Sequence, residues 1–179
     1  RGAIAIWRRN VRVWRKLIRV SLILNFGEPL IYLLGFGFGF GSLINELDGM
    51  SYITFLASGL VVSSVMTSAS FEAMYSVFTR MEPQQTYNSM LATPLRVDDI
   101  VAGELLWCAS KGVISGAAIL LVGTLLGALG GFTALAALPI LLLAGLAFAS
   151  LAILITPFAP SYDYFNYYYT LILVPMFLC

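Results

Sequence analysis

Gly112-Val-Ile-Ser-Gly-Ala-Ala-Ile-Leu-Leu-Val-Gly-Thr-Leu-Leu-Gly-Ala-Leu-Gly-Gly131 runs on through Phe132 to Tyr162 without one charged residue. A membrane-crossing helix needs about 20 predominantly apolar residues, so this run is long enough for two, with Gly130-Gly131 as the tight turn between them. Gly49 to Phe71 is a second uncharged run, long enough for one more. Neither run alternates apolar and polar residues as the strands of a transmembrane barrel do. The whole chain agrees. Of its 179 residues 60% are hydrophobic and 11% charged, against about 25% charged in a soluble domain, and the mean hydropathy is +0.91. The fold class is therefore all-α, a polytopic helical membrane protein. Because the sequence begins at Arg1 and ends at Cys179 inside an apolar segment, it reads as a fragment cut at both ends. No cleavable signal peptide is visible, since the basic N-terminal stretch is too long and too amphipathic for one.

Working outward from that run, spans are expected at 100–128 and 134–157, with a further apolar segment at 164–179. Upstream lie spans at 20–44 and 52–78. Residues 1–19 read as an amphipathic helix. Ile4, Trp7, Val11, Trp14 and Ile18 make one stripe. Arg8, Arg9, Arg12, Arg15, Lys16 and Arg19 fill the other faces, with Arg1 as a seventh cation. Trp on one side and Arg on the other is the pattern of a helix lying in the membrane interface. In the first span Glu28-Pro29 predicts a kink, and Gly35/Gly39 and Gly37/Gly41 are pairs that permit close helix approach. Gly112/Gly116 and Gly123/Gly127 are similar pairs in the third. They serve either contact with a second copy or packing within the chain. Lys111 is placed to snorkel toward the inner interface. Span two carries Ser58, Ser63, Ser64, Thr67, Ser68 and Ser70. These hydroxyls either line a polar pathway or bond to the helix's own carbonyls and to neighbouring helices. Cys108 and Cys179 lie in apolar stretches as small packing residues.

Between the second and third spans, at 79–99, stands a polar island: Arg80-Met-Glu-Pro-Gln-Gln-Thr-Tyr-Asn-Ser-Met-Leu-Ala-Thr-Pro-Leu-Arg-Val-Asp-Asp99. A short helix is expected over 84–92, stopped because Pro94 disfavours helical geometry at Thr93. Asp98 and Asp99 suit the start of the next helix. Placing the N-terminus inside puts all ten Lys and Arg on inner segments and none on the loops near 45–51 and 129–133. The island is then cytoplasmic, and the turn Pro157-Phe-Ala-Pro-Ser-Tyr-Asp163 is a second inner feature.

Several chemistries are absent. The chain has no His, hence no His base and no Ser-His pair. No Cys/His/carboxylate group has metal-ligand spacing. No G-x-x-x-x-G-K-[ST] phosphate loop occurs, so any ATP chemistry belongs to another chain. The acidic residues Glu28, Glu72, Glu104 and Asp163 fall near the inner face, where pairing or capping and partner contact are equally open readings.

The island resembles the membrane subunits of ABC-2 type exporters, and more closely the nodulation protein J family of lipo-oligosaccharide permeases. The likeness rests on Arg80-Met-Glu-Pro-Gln-Gln-Thr-Tyr87 and on Met90-Leu-Ala-Thr-Pro-Leu-Arg-Val-Asp-Asp-Ile-Val-Ala-Gly-Glu-Leu-Leu-Trp107. A second match is Leu146-Ala-Phe-Ala-Ser-Leu151 with Ala159-Pro-Ser-Tyr-Asp-Tyr-Phe165, running into Val174-Pro-Met176. The Thr-Pro-Leu element is shared widely by ABC-2 permeases, and the Ala-Pro-Ser-Tyr-Asp-Tyr-Phe string points to the narrower group. The resemblance implies a type V exporter-like permease of six spans, of which this fragment ends in the fifth. It implies a homodimer in the bacterial inner membrane, N-terminus cytoplasmic, bound to a cytoplasmic ABC ATPase that holds the ATP and Mg. The chain itself would carry no cofactor and no catalytic residue, and would bind no nucleic acid. The cargo would be a lipo-oligosaccharide or other glycolipid. A drug or other hydrophobic compound is the alternative; a non-ABC channel, scaffold or membrane enzyme ranks lower.

For individual residues, the resemblance implies a coupling helix that touches the ATPase through Met81, Glu82, Gln84, Gln85, Thr86, Tyr87, Met90, Leu91, Thr93, Pro94 and Leu95. It implies a smaller inner contact at Ser161, Tyr162 and Asp163. Ser63, Ser64, Thr67, Tyr164, Tyr167 and Tyr168 are the candidate substrate path. The aromatic residues among them suit either stacking on sugar rings or an interfacial belt.

Overall fold

A computed structural model describes residues 1–18, 27, 31–37, 39, 46–47, 50–127, 129 and 136–178. Glu28-Pro29, Gly41, Gly130-Gly131, Cys179 and most of the expected first span lie outside the described residues. Helix α1 is Gly2–Lys16. A two-residue ladder follows, β1 (Glu46–Leu47) antiparallel to β2 (Met50–Ser51). Ser51 then caps α2 (Tyr52–Phe71), its Oγ accepting the Thr54 N–H at 3.4 Å, which satisfies one donor of the first turn. A wide π-turn, Glu72–Ser76, joins α2 to α3 (Val77–Met81). The short α4 (Thr86–Leu91) precedes α5 (Val97–Leu125) and α6 (Leu138–Ile155). Two 3₁₀ turns, Thr156–Phe158 and Tyr162–Tyr164, lead into α7 (Phe165–Tyr168), a second π-turn (Tyr169–Leu173) and α8 (Val174–Leu178).

Among the described residues three helical stretches are long and apolar enough to cross a membrane: Tyr52–Met81, Val97–Leu125 and Leu138–Phe158. The first two hold 30 and 29 residues. At about 1.5 Å per residue each is about 45 Å long, against a hydrocarbon core of about 30 Å. The excess sits at one end. The uncharged part of the first rod stops at Glu72, that of the second starts after Lys111, and Lys111 Nζ lies 3.9 Å from Glu72 Oε2. This pair marks one level, where both helices leave the apolar zone. Beyond it, the π-turn, α3 and the first half of α5 form a stalk that carries the island.

The core divides at the same level. Away from the island, Leu33, Ala57, Leu60, Val61, Val65, Ile119 and Leu141 pack together. Gly112 and Gly116 let α5 approach its neighbours there. A Cβ on Gly116 would sit 2.6 Å from Val65 Cγ2 and 3.0 Å from Leu141 Cδ1. This pair therefore serves packing within the chain, of α5 against α2 and α6. On the island side the core turns aromatic, with Met74, Phe78, Trp107, Cys108, Phe165 and Tyr168 buried together.

Helix α1 packs along the stalk. Ile6 and Asn10 are buried, and Trp7, Val11 and Trp14 pack against the core. The docked face thus runs through Ala3, Ile6, Asn10 and Trp14, turned by about one residue from the apolar stripe read from the sequence. Ile4, at the head of that stripe, is exposed. Gly2 lies against Asp99, Ile6 against Gly103, and Trp14 against Trp107. These contacts advance together along both helices, so α1 runs in the same direction as α5.

Candidate functional site

The island is an exposed helical finger on an ionic root. After Met81 the chain turns through Glu82-Pro-Gln84 into Gln85, whose φ of 50° is left-handed. That geometry is costly for a residue with a Cβ. Here it is offset by side-chain bonds: Gln85 Nε2 donates to Glu82 O at 2.9 Å, and Asn88 Nδ2 donates to Gln85 Oε1. Helix α4 buries no residue. Glu82, Gln84, Gln85, Leu91, Thr93 and Pro94 are exposed; Met81, Thr86, Tyr87, Met90 and Leu95 are half-buried. Thr93 Oγ1 closes the helix by donating to Met90 O at 2.6 Å. Asp99 then steadies the start of α5, accepting the Arg96 N–H at 3.4 Å.

At the root, Arg80 bridges two carboxylates. Its Nη1 lies 2.5 Å from Glu104 Oε2 and its Nη2 3.2 Å from Glu72 Oε1. Asn10 Nδ2 donates to the same Glu104 oxygen at 2.9 Å, and Trp107 Nε1 donates to Glu72 Oε1 at 2.7 Å. Lys111, 3.9 Å from Glu72, completes a set of two acids and two bases. Glu104 is 2% and Lys111 8% exposed. Burying such groups costs several kcal/mol per ion unless each is paired and hydrogen-bonded, so the set holds as a whole or fails as a whole. Only a guanidinium offers two donors in a fixed fork to reach two acids at once. The set and its hydrogen-bond partners join four elements: Asn10 from α1, Glu72 from the π-turn, Arg80 from α3, and Glu104, Trp107 and Lys111 from α5. It resolves Glu72 and Glu104 as paired groups, and directs Lys111 to a carboxylate. The sequence held no sign of Asn10's part, because an Asn inside an otherwise amphipathic helix reads as one more polar-face residue.

Tyr87 ties the finger to this root. It packs against the aromatic core, with its hydroxyl beside Glu104 and Arg80. Burial first, and then the Glu104 charge, push the phenol far above its ordinary range. The Tyr87 hydroxyl and Glu104 Oε1 are both buried, and their geometry falls short of a formed hydrogen bond.

The turn after α6 meets the stalk next to the island. Thr79 Oγ1 donates to Tyr75 O at 2.6 Å. Its single proton is thereby used, so the Tyr162 hydroxyl donates to Thr79 across 2.9 Å. Tyr162 stacks on Tyr75 and meets Phe78 edge-on at 4.9 Å between ring centroids. Ser161 and Asp163 are exposed beside it. The structure thus brings both expected contact zones to one end of the bundle. Thr156 Oγ1, 3.2 Å from Ala73 O, anchors the same turn to a carbonyl of the π-turn.

The candidate path residues fall into separate surroundings. Ser64 is buried, with Oγ 2.6 Å from Ser115 Oγ between α2 and α5. Thr67 donates to Ser63 O at 2.6 Å within its own helix, as Ser58 does to Phe55 O at 2.7 Å. Tyr168 is 3% exposed, and its hydroxyl lies near Ser70 without a formed hydrogen bond. Tyr164 and Tyr167 are exposed and meet edge-on at 5.9 Å.

The profile of the ABC-2 type transporter family matches residues 3–179. Nodulation protein J of Rhizobium leguminosarum bv. trifolii is 49% identical over 97% of this chain and 66% of its own length. Nodulation protein J of Bradyrhizobium diazoefficiens is 48% identical over 98% of this chain and 67% of its own. Inner membrane transport permease YadH of Escherichia coli is 26% identical over 63% of this chain and 43% of its own length. The chain spans about two thirds of the length of the nodulation proteins it matches. No solved structure matches it.

Proposed function

The chain belongs to the ABC-2 type transporter family, and from that premise we propose that it is the permease part of an exporter driven by a separate ATP-hydrolysing subunit. The observation that carries this reading is the island. Helix α4 buries none of its own residues, yet its base is fixed by a four-charge set from the π-turn, α3 and α5, to which α1 adds Asn10. A finger that is free at the tip and rigid at the root suits the transfer of a partner's movement into the bundle. Met81, Glu82, Gln84, Gln85, Thr86, Tyr87, Met90, Leu91, Thr93, Pro94 and Leu95 form the proposed contact. Ser161, Tyr162 and Asp163 lie beside it as a second one, packed to the same stalk. The island then faces the cytoplasm, with the N-terminus on the same side, in an inner membrane like that named for the Escherichia coli relative.

The proposed cargo is a lipo-oligosaccharide or another amphipathic saccharide or lipid, supported by the likeness to nodulation proteins. A second copy of the permease completes the assembly. Apolar residues exposed on α5 and α6, such as Leu121, Leu125, Ile140, Leu143 and Leu154, are available to that copy or to lipid.

Co-purification and cross-linking test the reading. A cysteine at Leu91 or Gln84, on the exposed side of α4, should cross-link to an ATPase subunit that co-purifies in fixed stoichiometry. One at Ile140, on the lipid-facing side of α6, should not. Isolation of the full permease with no ATPase subunit bound would favour a channel or scaffold.

A further inference from the structure

Apart from Arg9, which is half-buried and donates to Asn10 Oδ1 at 3.2 Å, the cations of α1 point away from what the helix packs on. With about 3.6 residues per turn, Ala3, Ile6, Asn10 and Trp14 share the docked side. Arg1, Arg8, Arg12, Arg15 and Lys16 fill the opposite arc, all exposed. Among the described residues none of these five is in an ion pair. α1 itself carries no acid. Two carboxylates reach α1, both on its docked side: Asp99 sits against Gly2 at its start, and Glu104 accepts from Asn10, whereas Arg12, Arg15 and Lys16 lie on the opposite arc toward its end.

That end lies at the membrane surface. Trp14 meets Trp107 at 6.2 Å between ring centroids. Lys111 Nζ stands 5.8 Å over the Trp14 ring, and Lys111 marks the level at which the uncharged part of α5 begins. The sequence then passes from Leu17 into an apolar run opening at Val20. Beside Arg12, Arg15 and Lys16, the side chains of Val13 and Leu17 are 50% and 60% exposed. An acidic protein surface would answer the charges and leave these two apolar groups in water. A phospholipid answers both, with a phosphate for the guanidinium groups and acyl chains for Val13 and Leu17.

We propose that Arg12, Arg15 and Lys16, with Arg8 one turn further from the bilayer, bind the headgroups of anionic phospholipids in the leaflet on the island's side. The same helix that holds the headgroups places Asn10 on Glu104, so lipid charge and the island's root meet on one element. This proposal stands apart from the ATPase partnership, because it concerns the permease and its bilayer alone.

The test uses full-length permease in nanodiscs of phosphatidylcholine with a minor fraction of phosphatidylglycerol. Retention of each lipid is measured by native mass spectrometry. The wild type should retain phosphatidylglycerol in preference to phosphatidylcholine. In R12Q/R15Q/K16Q the preference should fall by about tenfold or more, since each basic group near an anionic surface contributes measurably. R12K/R15K, which keeps the charge, should retain most of it. R96Q, which removes an exposed cation on the island, should leave it unchanged. If the triple variant inserts poorly, a salt titration of the wild type decides, because a headgroup site held by charge weakens as salt rises. Equal preference in the wild type and the triple variant, an equal loss in R96Q, or indifference to salt would each overturn the proposal. Loss of a protein partner by the triple variant with its lipid preference intact would assign this face to a protein instead.

Discussion

At the far end of the bundle α5 meets α2 and α6 through Gly112, Gly116, Val65 and Leu141. At the island end the stalk and the same α5 meet through Glu72, Arg80, Glu104 and Lys111. The first contact is made of small residues and aliphatic side chains, so other apolar sets of the same volume can serve it. The second has discrete partners. Arg80 either reaches both carboxylates or leaves buried charge without compensation. The difference teaches where a push can be received without being absorbed. A region with one satisfied arrangement transmits displacement, whereas a region with many near-equal packings takes it up.

Four tests bear on this contrast, using five single substitutions. Arg80→Ala should have the largest effect, about 3–5 kcal/mol of lost stability, because it strands Glu104 and Glu72. Thermal denaturation in detergent reads this directly, and R80M/E104M should recover much of the loss. A melting temperature unmoved by R80A would mean that the root bears no load. Trp107→Phe comes next: it removes the indole donor from Glu72, worth about 1.5–3 kcal/mol for a bond to a charged group, while the aromatic packing stays.

The third test makes the same change in each half. A Cβ at Gly103 would lie 2.7 Å from Ile6 Cβ and 2.8 Å from the Ala3 carbonyl, neither of which can swing aside. Gly103→Ala should therefore cost about 1–3 kcal/mol and loosen α1, seen as faster proteolysis after Lys16. At Gly116 the Cβ would lie 2.6 Å from Val65 Cγ2 and 3.0 Å from Leu141 Cδ1, both side-chain methyls, with the Val61 carbonyl at 3.6 Å. Both glycines lie inside α5, so alanine gains the same helix propensity at each, and Gly116→Ala should cost less than Gly103→Ala because side-chain methyls give way more readily than a carbonyl and a Cβ. Equal costs at the two sites would erase the contrast. Smallest is Tyr87→Phe. Its hydroxyl is buried without a formed bond, so its removal should change stability by less than about 0.5 kcal/mol, and a large loss would show that the hydroxyl is held after all.

The fold class was legible in the sequence because charge is excluded from hydrocarbon. The uncharged runs 49–71 and 112–162 and the polar stretch at 80–99 declare themselves without any knowledge of packing. The root was not legible, because sequence position gives a charge its depth and leaves its azimuth open. Glu72, Arg80, Glu104 and Lys111 could each be placed near the inner edge, but which way each faces depends on the π-turn at Glu72–Ser76. Such a turn rotates everything after it by about a quarter turn, and here no Pro or Gly announces it. Helix α1 misled in a similar way. Its apolar stripe suggested one face, while the docked face includes Asn10, a polar residue whose burial makes sense only once Glu104 is known to lie opposite. The hydroxyls of α2 left two readings open, and their resolved bonds run to local carbonyls at Ser58 and Thr67 and to Ser115 at Ser64.

Under the proposed function the island passes an ATPase partner's work into the bundle. The direct test is permease-dependent ATP hydrolysis and export in proteoliposomes holding the full permease and the proposed ATPase subunit, compared between wild type and a variant with Thr93, Pro94 and Leu95 replaced by alanine. These three residues are exposed or half-buried and lie apart from the ionic root, so the variant should insert and melt like the wild type. Stimulation and export should be lost together. Normal stimulation with normal export in that variant would contradict it.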